Sequence, residues 1–154
     1  MPRAVRERPR RAGAPRLLLD TNVLLDVVLD RAPWADDATR LLQRVHEGAA
    51  RGFVASHALT TVHYVVERDA GHPRATTAVN DLMEILDVVP LDGSDFRRAL
   101  SLDLRDFEDA VQVAACLKAE ADFLVTRNPR DFRHAPVEIR SAAEVLPILH
   151  RSAP

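Results

Sequence analysis

The sequence predicts an α/β protein, a three-layer sandwich in which a small, mostly parallel sheet of four to five strands has helices on both faces. Three observations predict it. Short apolar runs recur along the 154 residues, and the stretches between them carry apolar residues at helical spacing. Short strands alternating with helices pair in parallel through right-handed crossovers. The first run, Leu17-Leu18-Leu19, ends abruptly in Asp20, which delivers a carboxylate to the edge where open α/β sheets place their sites.

Residues 1–15 combine Arg, Pro and Gly with almost no apolar content and are predicted to be a disordered basic tail, ahead of one domain over 16–150. Arg16–Leu19 form the first strand and Thr21–Asp30 a short helix. Pro33 suits the first turn of a helix running to about Arg51, with Leu41, Leu42 and Val45 as its buried stripe and Gly52 as its stop. Phe53-Val54-Ala55 is the second strand. Ser56 caps the next helix, whose apolar positions include Leu59, Val62, Val65 and Val66, and Gly71 ends it.

A helix over about Arg74–Leu86 precedes the third strand, Val88-Val89-Pro90-Leu91. Proline cannot donate to the ladder, so this strand belongs at an edge. Ser94 opens a helix to about Leu102. The acidic turn Asp106-Phe107-Glu108-Asp109 leads into an Ala-rich helix over Ala110–Glu120, followed by the fourth strand, Asp122–Thr126. Arg127–Ala135 is read as a polar loop, Val137-Glu138-Ile139 as a fifth strand and Ala142–Leu149 as the closing helix.

Hydrophobic residues make up 47% and charged residues 29% of the chain, a globular balance with enough length for one self-sufficient core. A single cysteine, Cys116, excludes an intramolecular disulfide and a CxxC metal knuckle, and its place in an apolar helix pattern makes it a core residue. The stretch Leu17–Leu29 is interrupted by Asp20 and Asp26, which argues against a signal peptide. No apolar run reaches membrane-spanning length, so a cytoplasmic location with no membrane partner is the expectation. The net charge of -2 hides an asymmetry. Of 21 basic and 23 acidic residues, six arginines and one glutamate lie in residues 1–16, which leaves 15 basic and 22 acidic side chains beyond. An acidic body does not suggest a surface that coats nucleic acid. It fits clustered carboxylates partly neutralised by a metal ion.

Three acidic groups fall in equivalent places. Asp20 ends the first strand, Asp106, Glu108 and Asp109 begin the helix before the fourth, and Asp131, near Asn128, follows the fourth. If the first and fourth strands are neighbours, all three converge on one crevice. Each has an ordinary reading: Asp20 and Asp106 as helix caps, Glu108 and Asp109 as first-turn acids facing a helix dipole. Together they would repel one another unless a cation were present. Oxygen ligands of this kind suit Mg²⁺ or Mn²⁺, which would activate water and stabilise charge on a phosphoryl group.

The runs Leu18-Leu19-Asp20-Thr21-Asn22-Val23-Leu24-Leu25, Asp106-Phe107-Glu108-Asp109-Ala110 and Thr126-Arg127-Asn128-Pro129-Arg130-Asp131-Phe132 together resemble a PIN domain over about residues 16–147. The resemblance implies a Mg²⁺- or Mn²⁺-dependent endoribonuclease, most often the toxin of a bacterial toxin–antitoxin pair of the VapC type. Asp20 then matches the first metal-binding aspartate, with Asn22 its polar companion. Asp109 matches the acid of the late helix, and Asp106 is an additional ligand. Thr126 matches the hydroxyl ending the fourth strand, Asn128 stands where many relatives carry a fourth acid, and Asp131 follows it. Arg127 and Arg130 border the site and are candidates to hold the RNA backbone through forked contacts to phosphate.

The family's usual glutamate in the helix after the second strand has no counterpart in residues 56–64. His63 occupies about that place, and Glu67 follows one turn later on the same face. A catalytically weak or silent module acting through protein or RNA binding is therefore the alternative. A phosphorylatable receiver domain is set aside, because it needs a lysine after the last strands and the only lysine is Lys118. The partners implied by the resemblance are an RNA substrate, a cognate antitoxin and a second copy in a homodimer. The helices around Val62–Val66 and Leu82–Leu86 are candidate contact faces, and core packing explains their apolar residues equally well.

Overall fold

The structure, a computed structural model, describes residues 13–151. The chain runs β1 (Arg16–Leu19), α1 (Thr21–Val28), α2 (Ala35–His46), β2 (Arg51–Ala55), α3 (Ser56–Ala70), α4 (His72–Ile85), β3 (Asp87–Val89), α5 (Gly93–Ser101), α6 (Phe107–Lys118), β4 (Phe123–Val125), β5 (Ile139–Arg140) and α7 (Ala142–Arg151). The five strands form one sheet in the order β3-β2-β1-β4-β5. Every neighbouring pair is parallel. The chain thus winds outward from β1 to β3 and then returns to build the other half from β4, which places a topological switch point between β1 and β4.

Leu17, Leu18 and Leu19 are all fully buried although successive strand residues point to opposite faces, so helices cover the sheet on both sides. α5 and α6 pack together through Ala99, Ala110, Val111 and Ala114. α1 packs on α2 and α3, with α7 against α2 and α4 against α3. The aliphatic interior between sheet and helices includes Leu24, Leu41, Val54, Val62, Leu124 and Leu149. Cys116 is part of it, 1% exposed, and burial pushes its thiol up to about 12, so it is the inert core residue the sequence suggested.

Two long-range ties fix the helix that carries most of the acids. The Lys118 ammonium donates to Asp95 Oδ2 at 2.7 Å and to the Pro90 carbonyl at 2.6 Å, joining the end of α6 to the start of α5. The Arg16 guanidinium donates to the Ala119 carbonyl at 2.5 Å and lies over the Phe53 ring at 4.6 Å. The C-terminal end of α6 is thereby tied to β1.

Several element ends differ from the expected ones. α2 stops at His46, and the chain reverses through Gly48 at φ 86°, a left-handed conformation that favours glycine. Gly52 is not the stop: it lies inside β2, opposite Leu17. A Cβ there would meet Leu86 Cδ2 at 2.5 Å and Val45 Cγ1 at 2.8 Å, so close packing rather than turning requires glycine. Pro33 precedes α2 instead of lying in its first turn.

Ser56 is the first helical residue of α3 rather than its cap, and its hydroxyl instead accepts from the Leu91 amide at 3.2 Å. α4 begins at His72, because Gly71 at φ 89° lets one helix follow another almost directly. α5 is capped by Asp92, in a reciprocal pair with Asp95, not opened by Ser94. α6 starts at Phe107, so the acidic turn is its first turn. Pro90 and Leu91 lie beyond β3, and β5 is shifted to Ile139–Arg140.

Val62, Val66, Leu82 and Leu86 face the chain's own core, as the packing reading of these residues has it; Tyr64 and Met83 are the large exposed residues of α3 and α4. The basic tail predicted over 1–15 lies outside the described residues as far as residue 12. The Pro15 carbonyl accepts from the Arg51 amide at 2.8 Å. Among the described residues no helix is long and apolar enough to cross a membrane.

Candidate functional site

Asp20 follows β1 directly, and its amide continues the ladder by donating to the Val125 carbonyl of β4 at 2.9 Å. Its φ and ψ are those of a helix N-cap, yet its side chain caps nothing. Oδ2 instead accepts from the Thr126 hydroxyl at 2.9 Å. Thr126 is fully buried and Asp20 only 4% exposed. Burial, and then the charge of Glu108, push the Asp20 carboxyl up to about 6, against the Thr126 hydrogen bond. The capping reading of Asp20 does not hold.

Asp106 is a true N-cap. Its Oδ1 accepts from the Asp109 amide at 3.0 Å and so starts α6. Asp109, one turn in, is pushed up to about 7 by burial and by the charges of Asp106, Asp20, Glu108 and Asp131. The four acids that raise it come from the ends of β1, α6 and the turn after β4, so the fold does gather them at the switch-point edge. Asp106, Glu108 and Asp109 each present a carboxylate oxygen within 4.8 Å of the others.

Glu108 is the anchor of a network that sequence reasoning reached only as a possibility. Its Oε1 accepts from Gln112 Nε2 at 3.0 Å and from the Thr21 hydroxyl at 3.3 Å, and faces His57 Nε2 at 3.1 Å. Gln112 Nε2 also donates to Thr21 Oγ1 at 3.0 Å. Burial works to raise Glu108, but the bonds from His57, Gln112 and Thr21 outweigh it and hold the carboxyl below its ordinary range. Glu108 therefore stays charged beside two acids that burial and repulsion disfavour as anions.

Gln112, Thr21 and His57 were missed. Gln112 had a legible signal, lying four residues after Glu108 on the same helical face. His57 had none, because its partner is remote in sequence.

The other candidates divide. Asn22 sits half-buried in the first turn of α1, beside Asp20. Asn128 is exposed, and its amide donates to Thr126 Oγ1 at 3.2 Å. Asp131 and Arg130 line a groove of about 560 Å³ together with Asp106, Asp109, Arg105 and Arg133. Arg105 and Arg133 flank the acidic motifs in the sequence and were not singled out there.

Arg127 is already engaged. It donates to Asp26 Oδ1 at 2.8 Å and stacks over the Trp34 ring at 4.1 Å. His63 and Glu67 are not brought to the acids. From His57, which does reach Glu108, they lie ~9 and ~15 Å along α3, and they contact Thr76 and His72 instead.

Chemically, this is a crowded set of oxygen donors, with His57 against Glu108 as the basic side chain within it. Burial and the neighbouring carboxylates disfavour the charged forms of Asp20 and Asp109, and carboxylates with hydroxyl and amide support suit a hard divalent cation such as Mg²⁺ or Mn²⁺. Arg105, Arg130 and Arg133 stand at the groove wall.

Comparison with known proteins gives the family and the fold. Residues 16–130 match the PIN domain. Ribonuclease VapC1 of Aquifex aeolicus (strain VF5) is 21% identical over 137 residues, covering 86% of this chain and 94% of that protein. The VapBC2 complex of Rickettsia felis, solved bound to a DNA fragment from its promoter, contains a chain that superposes with a TM-score of 0.66 at 14% identity, over 82% of this chain and 98% of that one. VapC20 of Mycobacterium tuberculosis, described as a toxin that cleaves the sarcin-ricin loop, superposes with a TM-score of 0.58 at 16% identity, over 70% of this chain and 86% of that one.

Proposed function

Because the chain belongs to the PIN-domain family, we propose that it is a Mg²⁺- or Mn²⁺-dependent endoribonuclease that hydrolyses RNA phosphodiesters as the toxin of a bacterial toxin–antitoxin pair. One observation carries the reading: Asp20, Asp106, Glu108, Asp109 and Asp131 converge beside the β1–β4 switch point, with Asp20 and Asp109 pushed up to about 6 and about 7.

Asp20, Asp109 and Asp106 are the residues that would hold the metal, with Glu108 and Asp131 adding oxygens around it. When bound, such an ion supplies a Lewis acid for the phosphoryl group and lowers the pKa of water. Thr126 orients the Asp20 carboxylate, and Asn22 and Asn128 flank the same edge as further polar groups. Arg130, with Arg105 and Arg133, holds the RNA backbone along the groove through phosphate contacts. Arg127 shapes the wall through Asp26 and Trp34.

Glu108 answers the absence of the glutamate expected in the helix after β2. It arrives from α6, while α3 contributes His57 to steady it. That compensation favours an active enzyme over a silent binding module. The partners of this reading are RNA, a cognate antitoxin that blocks the acidic groove, and a second copy of the chain.

The test is cleavage of a mixed RNA pool in Mn²⁺ by the wild type, Asp20→Asn and Asp109→Asn. Loss of cleavage in both variants, with unfolding transitions intact, is the expected result. Wild-type rates in either variant would overturn the assignment.

A further inference from the structure

A second group of metal-type donors stands away from the acidic groove, on the hairpin between α3 and α4. His63 and Glu67 lie one turn apart on α3, with His63 Nδ1 at 3.5 Å from Glu67 Oε2. Gly71, at φ 89°, reverses the chain so tightly that His72, at the first position of α4, returns over the same turn. Its Nδ1 lies 3.2 Å from Glu67 Oε1. The donor atoms of the three residues all fall within 4.8 Å of one another. Ligands around a tetrahedral zinc ion stand about 3.3–3.6 Å apart, given metal–ligand bonds of about 2.0–2.2 Å, so this spacing needs only side-chain adjustment.

Three further features separate the group from a casual surface cluster. The far nitrogen of His63, Nε2, faces the Thr76 hydroxyl of α4 at 3.4 Å, the outer-shell arrangement that fixes which imidazole nitrogen is left for a metal. The rings of His63 and His72 meet edge to face at 5.2 Å. Neighbouring cations are engaged elsewhere: Arg68 lies over the Tyr64 ring at 5.7 Å, and Arg74 donates to the Val28 carbonyl at 3.3 Å. Among the described residues, the ion pairs of Glu67 are with these two histidines alone.

We propose that His63, Glu67 and His72 form a Zn²⁺ site that staples α3 to α4 across Gly71, distinct from the hard-cation site at the sheet edge. Two imidazoles and one carboxylate are a donor set for zinc and its borderline neighbours rather than for magnesium. They leave a fourth tetrahedral position for water. Bound metal adds its binding free energy to the folded state, and it does so at the end of α3 opposite His57.

The experiment is calorimetric titration of Zn²⁺ into the full chain under saturating Mg²⁺, repeated on the Asp20→Asn/Asp109→Asn chain. A parallel Co²⁺ titration reads tetrahedral coordination in visible absorption. One Zn²⁺ per chain is expected in both proteins. His72→Ala and Glu67→Gln should each weaken it by more than the ~10–100-fold that loss of an outer-shell partner costs, with Mg²⁺-dependent RNA cleavage unchanged. His72 is exposed, so its replacement leaves the fold intact. Zn²⁺ affinity unaltered in His72→Ala, or absent from the wild type under Mg²⁺, would overturn the site.

Discussion

Thr126 donates its hydroxyl to Asp20 Oδ2 at 2.9 Å, across the ends of two neighbouring parallel strands. The Asn128 amide donates to the same hydroxyl oxygen at 3.2 Å, which leaves the Thr126 proton directed at the carboxylate. This bond opposes the burial that pushes Asp20 up to about 6. Thr126→Val keeps the shape and removes the donor. Asp20 should then rise further, and Mn²⁺ affinity measured by calorimetry should fall ~10–100-fold, the usual cost of losing an outer-shell partner. Thr126→Ser should restore most of it. Unchanged affinity in the valine variant would detach Asp20 from the metal.

Glu108 invites a sharper test, because its first-turn position on α6 has two explanations. As a helix-dipole residue it contributes ~0.3–1 kcal/mol of stability and nothing to chemistry. As a supplier of oxygen to the cation, it governs metal affinity and rate. Glu108→Gln keeps the size and removes the charge that helps to raise Asp109. We expect metal-dependent cleavage to fall ~10–100-fold by analogy with other supporting groups, with the unfolding midpoint shifted only slightly. A shift in stability with cleavage untouched would return Glu108 to the helix dipole.

Arg127 looks in the sequence like a clamp for RNA, but its side chain completes the interior. Asp26 is 1% exposed, and Arg127 reaches it at 2.8 Å. Burial raises the Asp26 carboxyl above its ordinary value, opposed by Arg127 and Arg31. Removing one partner of a buried pair strands the other. Arg127→Met should therefore cost about 3 kcal/mol of stability at pH 7, and less at pH 5, because burial favours the neutral Asp26 carboxyl as the pH falls. Denaturant unfolding at the two pH values measures this. A stable variant with weakened RNA binding would show that phosphate contact is its main role.

Much of the fold could be read because each signal was local. Leu17-Leu18-Leu19-Asp20 declares a buried strand that ends in a charge, and the Ala-rich run after Asp109 declares a helix. The errors arose where tertiary contacts decide. Gly52 resembles a helix stop until β2 is laid against Val45 and Leu86, where no Cβ fits. Ser56 has the chemistry of a cap, but its hydroxyl is claimed by Leu91, 35 residues away.

In the acidic site, the same division holds. Asp20, Asp106 and Asp109 are marked by position relative to strands and helix starts. His57 meets Glu108 only because α3 and α6 flank one edge, and no spacing within either helix encodes that. The partners of Arg127 were hidden for the same reason, since neither Asp26 nor Trp34 is near it in sequence.

The raised acids make stability a readout of the metal-free site. Asp20 titrates at about 6 in the folded chain against an ordinary 3.8, so the folded state binds this proton more tightly than the unfolded one. Stability is then full below about pH 4 and is lost as pH rises through 6, by ~3 kcal/mol at 1.36 kcal/mol per unit. Asp109, at about 7, acts in the same direction with a smaller, solvent-screened effect. Glu108 and Asp92, which are lowered, act in the opposite sense, but below the ordinary carboxylate range. Between pH 4.5 and 7.5 the metal-free protein should therefore weaken as pH rises. Asp20→Asn should remove most of that slope, and saturating Mg²⁺ should reverse it by favouring the ionised acids in the folded state. Urea unfolding in chelator and in Mg²⁺, at both ends of this range, decides the matter. Stability that is flat or rises with pH in chelator would mean that Asp20 is not held by its surroundings as an unwilling anion, and the charge argument for a cation at the β1–β4 edge would fail with it.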